Sequence, residues 1–517
     1  MHVTLIYTES DPWALGLRSV SAQLRRAGHT TTKLLCSIEA HRFDRKMLDR
    51  VCEIVDGSRV VGLSCLARGS EKARQVMEAL GPRKPFVVWG GVHATLDPSD
   101  AARSANVVCR GEGEGFMVEL LERLTHERDW RDLDNAVYVQ DANLVVNPPR
   151  GLIRDLDELP LFDFAHENEF HLSERGLRRP REVFDVREPI MFNGSRGCAF
   201  HCTYCSNKKL KAVYENKGPY VRRMTISRYV RSIRELLPLF PNAKYVYLID
   251  EDFCARPVAE LEEFAETYPR EVGLPFECMS SPLVLNERKT ELLVKAGLWR
   301  IRLGLESGSD RTKTEVYERN MPNRIVRRTA EIIQRHRQVV LCYFMIVANP
   351  YEEPEDLLET VDFLKHLPHP FYLQVYNLVF FPGTALYDRA VQDGLIDGKT
   401  HSGYELDYRS GLKYKSHPWK LKNLYLNGLL SLMEGKVTGY RLGFVPRCLL
   451  PWLLRPSVLT FGERHRLPMK MLIWSKIRFL QLRKLVARLV QRALGDPTSV
   501  YNLRQAVGSR LSRVVGR

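Results

Sequence analysis

The sequence is short of four things. No N-terminal stretch joins a basic start, an apolar core and a small-residue cleavage site, which points away from a secretory leader. The apolar runs HVTLIYT (2–8) and FVPRCLLPWLLRPSVLTF (444–461) are, in turn, too short and too broken by Pro and Arg to span a bilayer. Cysteine is sparse, 11 in 517 residues, and Cys36, Cys52, Cys65, Cys109, Cys254, Cys278, Cys342 and Cys448 form no C-x-x-C pair. Acid is scarce in residues 401–517, with 5 Asp plus Glu against 22 Lys plus Arg. That region carries +17 against +15 for the whole chain, so residues 1–400 sit at −2. The expected compartment is the cytoplasm. Thiols stay reduced there, and clustered cysteines signal metal or catalysis rather than disulfides.

One cluster exists, in GSRGCAFHCTYCS (194–206). Cys198, Cys202 and Cys205 supply three thiols and no fourth. A structural zinc site is closed by four ligands, and His201 inside the loop would complete one. A cubane iron–sulfur cluster is usually held by four cysteines. With three, one iron stays open for another ligand. C-x-x-x-C-x-x-C after a strand and Ser-Arg-Gly, with Tyr204 before the last cysteine, resembles the radical S-adenosylmethionine (SAM) superfamily.

That resemblance implies a partial (β/α)6 barrel with its site at the C-terminal strand ends, as in other barrels. Six apolar runs fit: PIMFNGS (189–195), KYVYLIDED (244–252), FECMSS (276–281), RIRLGLES (300–307), VVLCYFMIV (339–347) and YLQVYNLVFF (372–381). Helical patterns separate them, so a parallel sheet is expected. By the same resemblance Cys198, Cys202 and Cys205 bind a [4Fe-4S] cluster. Asp250, Glu251 and Asp252 accept from the SAM ammonium, whose three donors need acceptors. Glu306 reaches the ribose, and Tyr204 lies against adenine. Relatives often read Gly-Leu-Pro-Gly-Glu-Thr after the fifth strand. Here Ala348-Asn349-Pro350-Tyr351-Glu352-Glu353 stands there, a departure from that pattern at the point where relatives contact adenine.

Residues 1–150 alternate strand-like runs (2–8, 31–36, 60–65, 86–91, 105–109) with helical patterns. This predicts a doubly wound α/β domain, which binds ligands at the carboxyl ends of its strands. Those ends hold Ser64, then Gly90-Gly91-Val92-His93-Ala94-Thr95, then Arg110-Gly111-Glu112-Gly113-Glu114. Gly-Gly-x-His and Arg-Gly-Glu-Gly-Glu beside such a barrel resemble the cobalamin-binding branch of the superfamily. The resemblance assigns Ser64, Gly90, Gly91, His93, Thr95, Gly111, Glu112 and Gly113 to cobalamin. Many cobalamin domains carry Asp-x-His-x-x-Gly, whose His ligates cobalt from below. This chain has Asp11-Pro12-Trp13-Ala14-Leu15-Gly16. Trp13 in that slot cannot ligate, its N–H being donor only. It either faces the corrinoid or packs in the core.

The domain plan is therefore 1–150 cobalamin-binding-like, 151–188 linker, 189–400 radical SAM barrel and 401–517 basic and helical. The stretch 471–494 has apolar and basic positions at helical spacing, which suits an anionic membrane surface. It equally suits a helical region closing the barrel with a solvated basic face. Phosphate backbones are the least favoured partner.

The branch resemblance implies reductive cleavage of SAM to a 5′-deoxyadenosyl radical. The expected outcome is methylation of an unactivated carbon in a small-molecule, natural-product or lipid-like substrate. It implies an external electron donor of flavodoxin or ferredoxin type. Oxidative cyclisation or rearrangement without methylation is the alternative. RNA modification is a further one, although its methylthiotransferases carry N-terminal cluster cysteines, and Cys36, Cys52, Cys65 and Cys109 have no compact arrangement.

Overall fold

The computed structural model describes residues 1–397 except 37, 39, 41, 82–84, 175 and 185–188, then 423–465, and 471, 472, 475 and 478. The helix expected over 471–494, and most of the basic region, lie outside the described residues.

Five parallel strands form the first core: β1 (His2–Tyr7), β2 (Thr30–Cys36), β3 (Val60–Ser64), β4 (Phe86–Gly90) and β5 (Val107–Cys109). Their Val, Leu and Ile side chains are buried on both faces, as a parallel sheet between helices requires. The order 5-4-3-1-2 reverses between β1 and β3, where such sheets open a crevice. Two additions extend it. β6 (Ala136–Gln140) and β7 (Asn143–Val146) form an antiparallel hairpin outside β5. Its turn residues Asp141 and Ala142 both have positive φ.

β8 (Glu169–Ser173) pairs in parallel with β2, and β9 (Gly176–Arg178) closes that edge. These residues were expected in the linker and instead belong to the first sheet. The reason is a buried ion cluster. Arg18 grips both oxygens of Glu169 at 2.6 and 2.7 Å, and Lys33 Nζ lies 3.3 Å away. Arg18 and Glu169 are fully buried. Burial alone would raise the Glu169 carboxyl, but Arg18, His171 and Lys33 hold it well below the usual range.

The second sheet runs β10 (Pro189–Phe192), β13 (Tyr245–Leu248), β14 (Phe276–Ser280), β15 (Leu298–Glu306), β16 (Val340–Val347) and β17 (Phe371–Asn377), all parallel and in chain order. β11 (Ser195–Arg196) and β12 (Arg222–Arg223) form a separate small hairpin. Among the described residues the six-stranded arc stays open. β18 (Gly435–Val437), β19 (Arg441–Leu442) and β20 (Val445–Pro446) extend it beyond β17 as antiparallel strands. β10, β13 and β15 bury alternate residues against outer helices. In β15 these are Ile301, Leu303 and Leu305, which leaves Arg300, Arg302, Gly304 and Glu306 on the inner face. Helix Ile226–Leu236 shows why the outer layer docks. Ile226, Tyr229, Val230, Ile233 and Leu236 make one buried stripe, and Thr225 caps it by accepting from Arg228 N–H. A helix Leu424–Leu432, nearly all buried, and two short helices, Leu450–Leu453 and Pro456–Arg464, follow the arc.

Candidate active site

The cysteine loop leaves β11 through Gly197. At φ +82° a Cβ there would sit 2.3 Å from Tyr220 O, so only glycine fits. Cys205 N–H donates to Cys202 O at 3.1 Å, which turns the loop tightly. Cys202 is buried, and Cys198 and Cys205 are half-buried. Burial pushes the Cys198 thiol up to about 12 and that of Cys205 to about 11. Unmetallated, both would be protonated; a bound cation deprotonates a coordinating thiol outright. Arg319, itself buried, places Nη1 3.5 Å from Cys202 Sγ. His201 is exposed, with Nε2 3.3 Å from Lys211 Nζ, so the alternative fourth zinc ligand faces a cation on the surface. Among the described residues no three His, Cys, Asp or Glu groups converge on a single ion. A cubane asks for something else, one thiolate on each of three irons.

Around this loop stand carboxylates at strand ends. Glu306 ends β15 at a bulge with φ +65°, a conformation that non-glycine residues hold only when their surroundings impose it. Burial raises its carboxyl, partly offset by Arg319 and by a hydrogen bond with Tyr204. Tyr204 lies edge-on to Tyr317, ring centroids 4.9 Å apart. Asp252 accepts from Ser280 Oγ at 2.7 Å and Ser281 N–H at 3.1 Å, and burial pushes it up to about 6. Glu251 is hemmed in by protein yet open to solvent. Burial raises its carboxyl, and Asn207 opposes this. Asp250 behaves differently. It is fully buried and accepts from Tyr229 OH, so it anchors the outer helix, and its other oxygen has no partner among the described residues. Arg319 joins the group, with Nη2 3.3 Å from both Ser281 Oγ and Gly304 O.

A cavity of about 290 Å³ opens between the two sheets. Its walls include Ser64, Gly90, Gly91, Gly111, Glu112 and Gly113, all expected, together with Leu15–Leu17 and residues 192–196 that lead into Cys198. The glycines make room: a Cβ at Gly91 (φ +91°) would sit 2.8 Å from Ser64 Oγ. Thr95 lies behind the wall. It donates to Gly91 O at 2.8 Å and accepts from Gly111 N–H at 3.1 Å, tying the two glycine loops together. His93 is not on the wall. Expected to meet cobalamin, it lies buried in a helix, Gly91–Leu96, with Nε2 2.9 Å from Asp100 Oδ2. Trp13 is not on the wall either. Ala14, at φ +43°, turns the chain so that Leu15 to Leu17 face the cavity, while Trp13 packs among Phe164, Phe184 and Phe240. Among the described residues no histidine lines the cavity.

Three residues were not foreseen: Arg196, Arg222 and Arg319. Arg196 stands in the Ser-Arg-Gly motif, but its partners Glu112 and Glu114 lie over 80 residues upstream.

The radical SAM superfamily profile matches residues 192–364, and the B12 binding domain profile matches residues 1–121. This chain joins a B12 binding domain to a radical SAM domain. Its relatives include an uncharacterized methyltransferase of Pyrococcus horikoshii, 24% identical over 60% of this chain and 64% of that one. An anaerobic magnesium-protoporphyrin IX monomethyl ester cyclase of Synechocystis is 21% identical over 79% of this chain and 78% of that one. Among solved structures, the cobalamin-dependent SAM radical enzyme OxsB with aqua-cobalamin and SAM bound shares the fold. Its TM-score is 0.64 at 14% identity, over 100% of this chain and 75% of that one. The residues of this radical SAM protein fit its cofactors: three thiols with no fourth for a [4Fe-4S] cluster, strand-end carboxylates for SAM, and a glycine-lined crevice for cobalamin.

Proposed function

We propose that this protein is a cobalamin-dependent radical SAM methyltransferase acting on an unactivated carbon of a small-molecule, natural-product or lipid-like substrate. The observation that carries the reading is the shared wall: residues 192–196 line the crevice of the first sheet and run directly into Cys198. When bound, the cofactors supply a 5′-deoxyadenosyl radical and a transferable methyl group. The chain's residues bind and orient them. Cys198, Cys202 and Cys205 would hold the cluster, three thiolates for four irons. Glu251 and Asp252 offer acceptors to the SAM ammonium, Glu306 to the ribose, and Tyr204 a ring face to adenine. Ser64, Gly90, Gly91, Gly111 and Gly113 admit the corrinoid. Electrons come from a donor of flavodoxin or ferredoxin type. Oxidative cyclisation is the second reading, favoured by the extent of the alignment with the Synechocystis cyclase. The test uses SAM labelled in its methyl group, with reconstituted protein under reducing, anaerobic conditions. Labelled methyl on the bound corrinoid, together with 5′-deoxyadenosine, is expected. 5′-Deoxyadenosine with no methyl transfer would turn the assignment to cyclisation.

An anionic membrane surface is the partner this reading favours. No described helix is long and apolar enough to cross a membrane. Tyr440, Trp452 and Phe461 are 89%, 52% and 57% exposed, and Arg441, Arg455 and Arg464 beside them are exposed as well. Exposed aromatics among arginines suit an interface with anionic lipid. Salt-sensitive co-sedimentation with anionic vesicles, weakened by Trp452→Ala with Phe461→Ala, is expected. Equal recovery in the supernatant with anionic and neutral vesicles would overturn it.

A further inference from the structure

Glu112 is the hub of an ion cluster that joins the two halves of the molecule. Its Oε1 accepts from Arg196 Nη1 at 2.7 Å and Arg222 Nη1 at 2.9 Å, and its Oε2 accepts from Ile153 N–H at 2.9 Å. Its own N–H donates to Tyr214 OH at 2.7 Å. Glu114, two residues on, accepts from Arg196 Nη2 and from Ser19 Oγ. Burial would raise the Glu114 carboxyl, but Arg196 outweighs it and holds the group below its ordinary range.

Three facts give this cluster a consequence beyond stability. Glu112, Glu114, Arg196 and Ser19 all line the crevice, so a molecule seated there touches the atoms that hold Arg196. Arg196 and Arg222 are register partners across the β11–β12 hairpin, so one carboxylate grips both strands. Only Gly197, wedged against Tyr220 O, separates Arg196 from Cys198. Arg196, held at both terminal guanidinium nitrogens by Glu112 and Glu114, is thus one tightly packed residue away from the first cysteine of the loop.

We infer that Arg196, held by Glu112 and Glu114, is a positioning residue that couples occupancy of the crevice to the geometry of the cysteine loop, so that corrinoid and SAM each raise the other's affinity. The inference rests on the assignment of the crevice to cobalamin. Coupling between two binding sites is reciprocal by thermodynamic necessity, and about tenfold is a usual size. The experiment measures SAM binding by equilibrium dialysis on reconstituted protein with and without hydroxocobalamin. It also measures corrinoid binding by visible absorbance with and without SAM. Wild type should show the same factor, about tenfold, in both directions. Arg196→Gln should bind each ligand singly and lose the factor. Arg222→Gln, which removes the second strand's bonds to Glu112 and Ile153 O and leaves Arg196 on Glu112 and Glu114, should keep an intermediate factor, and it carries the test if Arg196→Gln fails to assemble a cluster. A wild-type factor of one, or full coupling in Arg196→Gln, overturns the inference while leaving the cofactors in place. No corrinoid uptake by wild type overturns the crevice assignment and this inference with it.

Discussion

Glu306 sits in a left-handed backbone conformation that costs a non-glycine residue on the order of 1–3 kcal/mol. The neighbouring Gly304 accommodates it, since a Cβ there would lie 2.4 Å from Glu306 Oε1. Strain kept at a strand end, beside Tyr204 and Arg319, fits a carboxylate aimed at a ligand. Glu306→Gln should leave the fold intact and weaken SAM binding roughly tenfold or more, the loss of a hydrogen bond to a charged group being worth about 1.5–3 kcal/mol. Unchanged affinity in equilibrium dialysis would remove Glu306 from the site. Asp252 predicts a pH dependence. Burial raises its carboxyl to about 6, with Ser280 and Ser281 opposing, so below that pH the folded protein holds it neutral. SAM affinity should fall as pH drops below about 6, the dependence disappearing in Asp252→Asn. The stability sign is opposite: a raised folded value means the contribution is present below the ordinary Asp range and lost as pH rises through about 6. A SAM affinity flat between pH 5 and 8 would contradict the role.

At the scale of elements, β8 joins the first sheet through a fully buried charge as well as through Leu172 in the core. Removing one partner of a buried pair costs about 3–5 kcal/mol, because the other is left uncompensated. Glu169→Gln should lower unfolding stability in urea by that amount. Glu167→Gln, exposed two residues away, should change it by less than about 0.5 kcal/mol. Because the Glu169 carboxyl lies below its ordinary value, this stabilisation is present above the usual glutamate range and lost as pH falls through and below it. Equal effects of the two substitutions would show that β8 is not anchored there. The same chemistry explains why β8 is hard to read. EFHLS looks like a polar linker until Arg18, 151 residues upstream, is known to neutralise its glutamate. The β6–β7 hairpin is hidden for another reason: Asp-Ala occupies a turn whose usual signal is Asp-Gly or Asn-Gly.

Across the whole molecule, the six strands of the second sheet are legible because each is an apolar run with polar ends between amphipathic helices. The fifth, expected over 339–347, is observed over Val340–Val347. The cysteine loop and the glycine loops are legible because their residues are contiguous. Arg319 is not, since it reaches Cys202 from 117 residues away and no spacing rule joins them. Trp13 misleads because its place in a motif says nothing of which way the chain turns at Ala14. One chain thus provides for two metal centres, one on the cysteine loop and one in the crevice. Iron and cobalt content after anaerobic reconstitution with hydroxocobalamin is the deciding measurement. About four irons and one corrinoid cobalt per chain are expected, and Cys202→Ala should lose the iron while keeping the cobalt. Zinc in place of iron, about eight irons, or no retained cobalt would rule out this pair of centres.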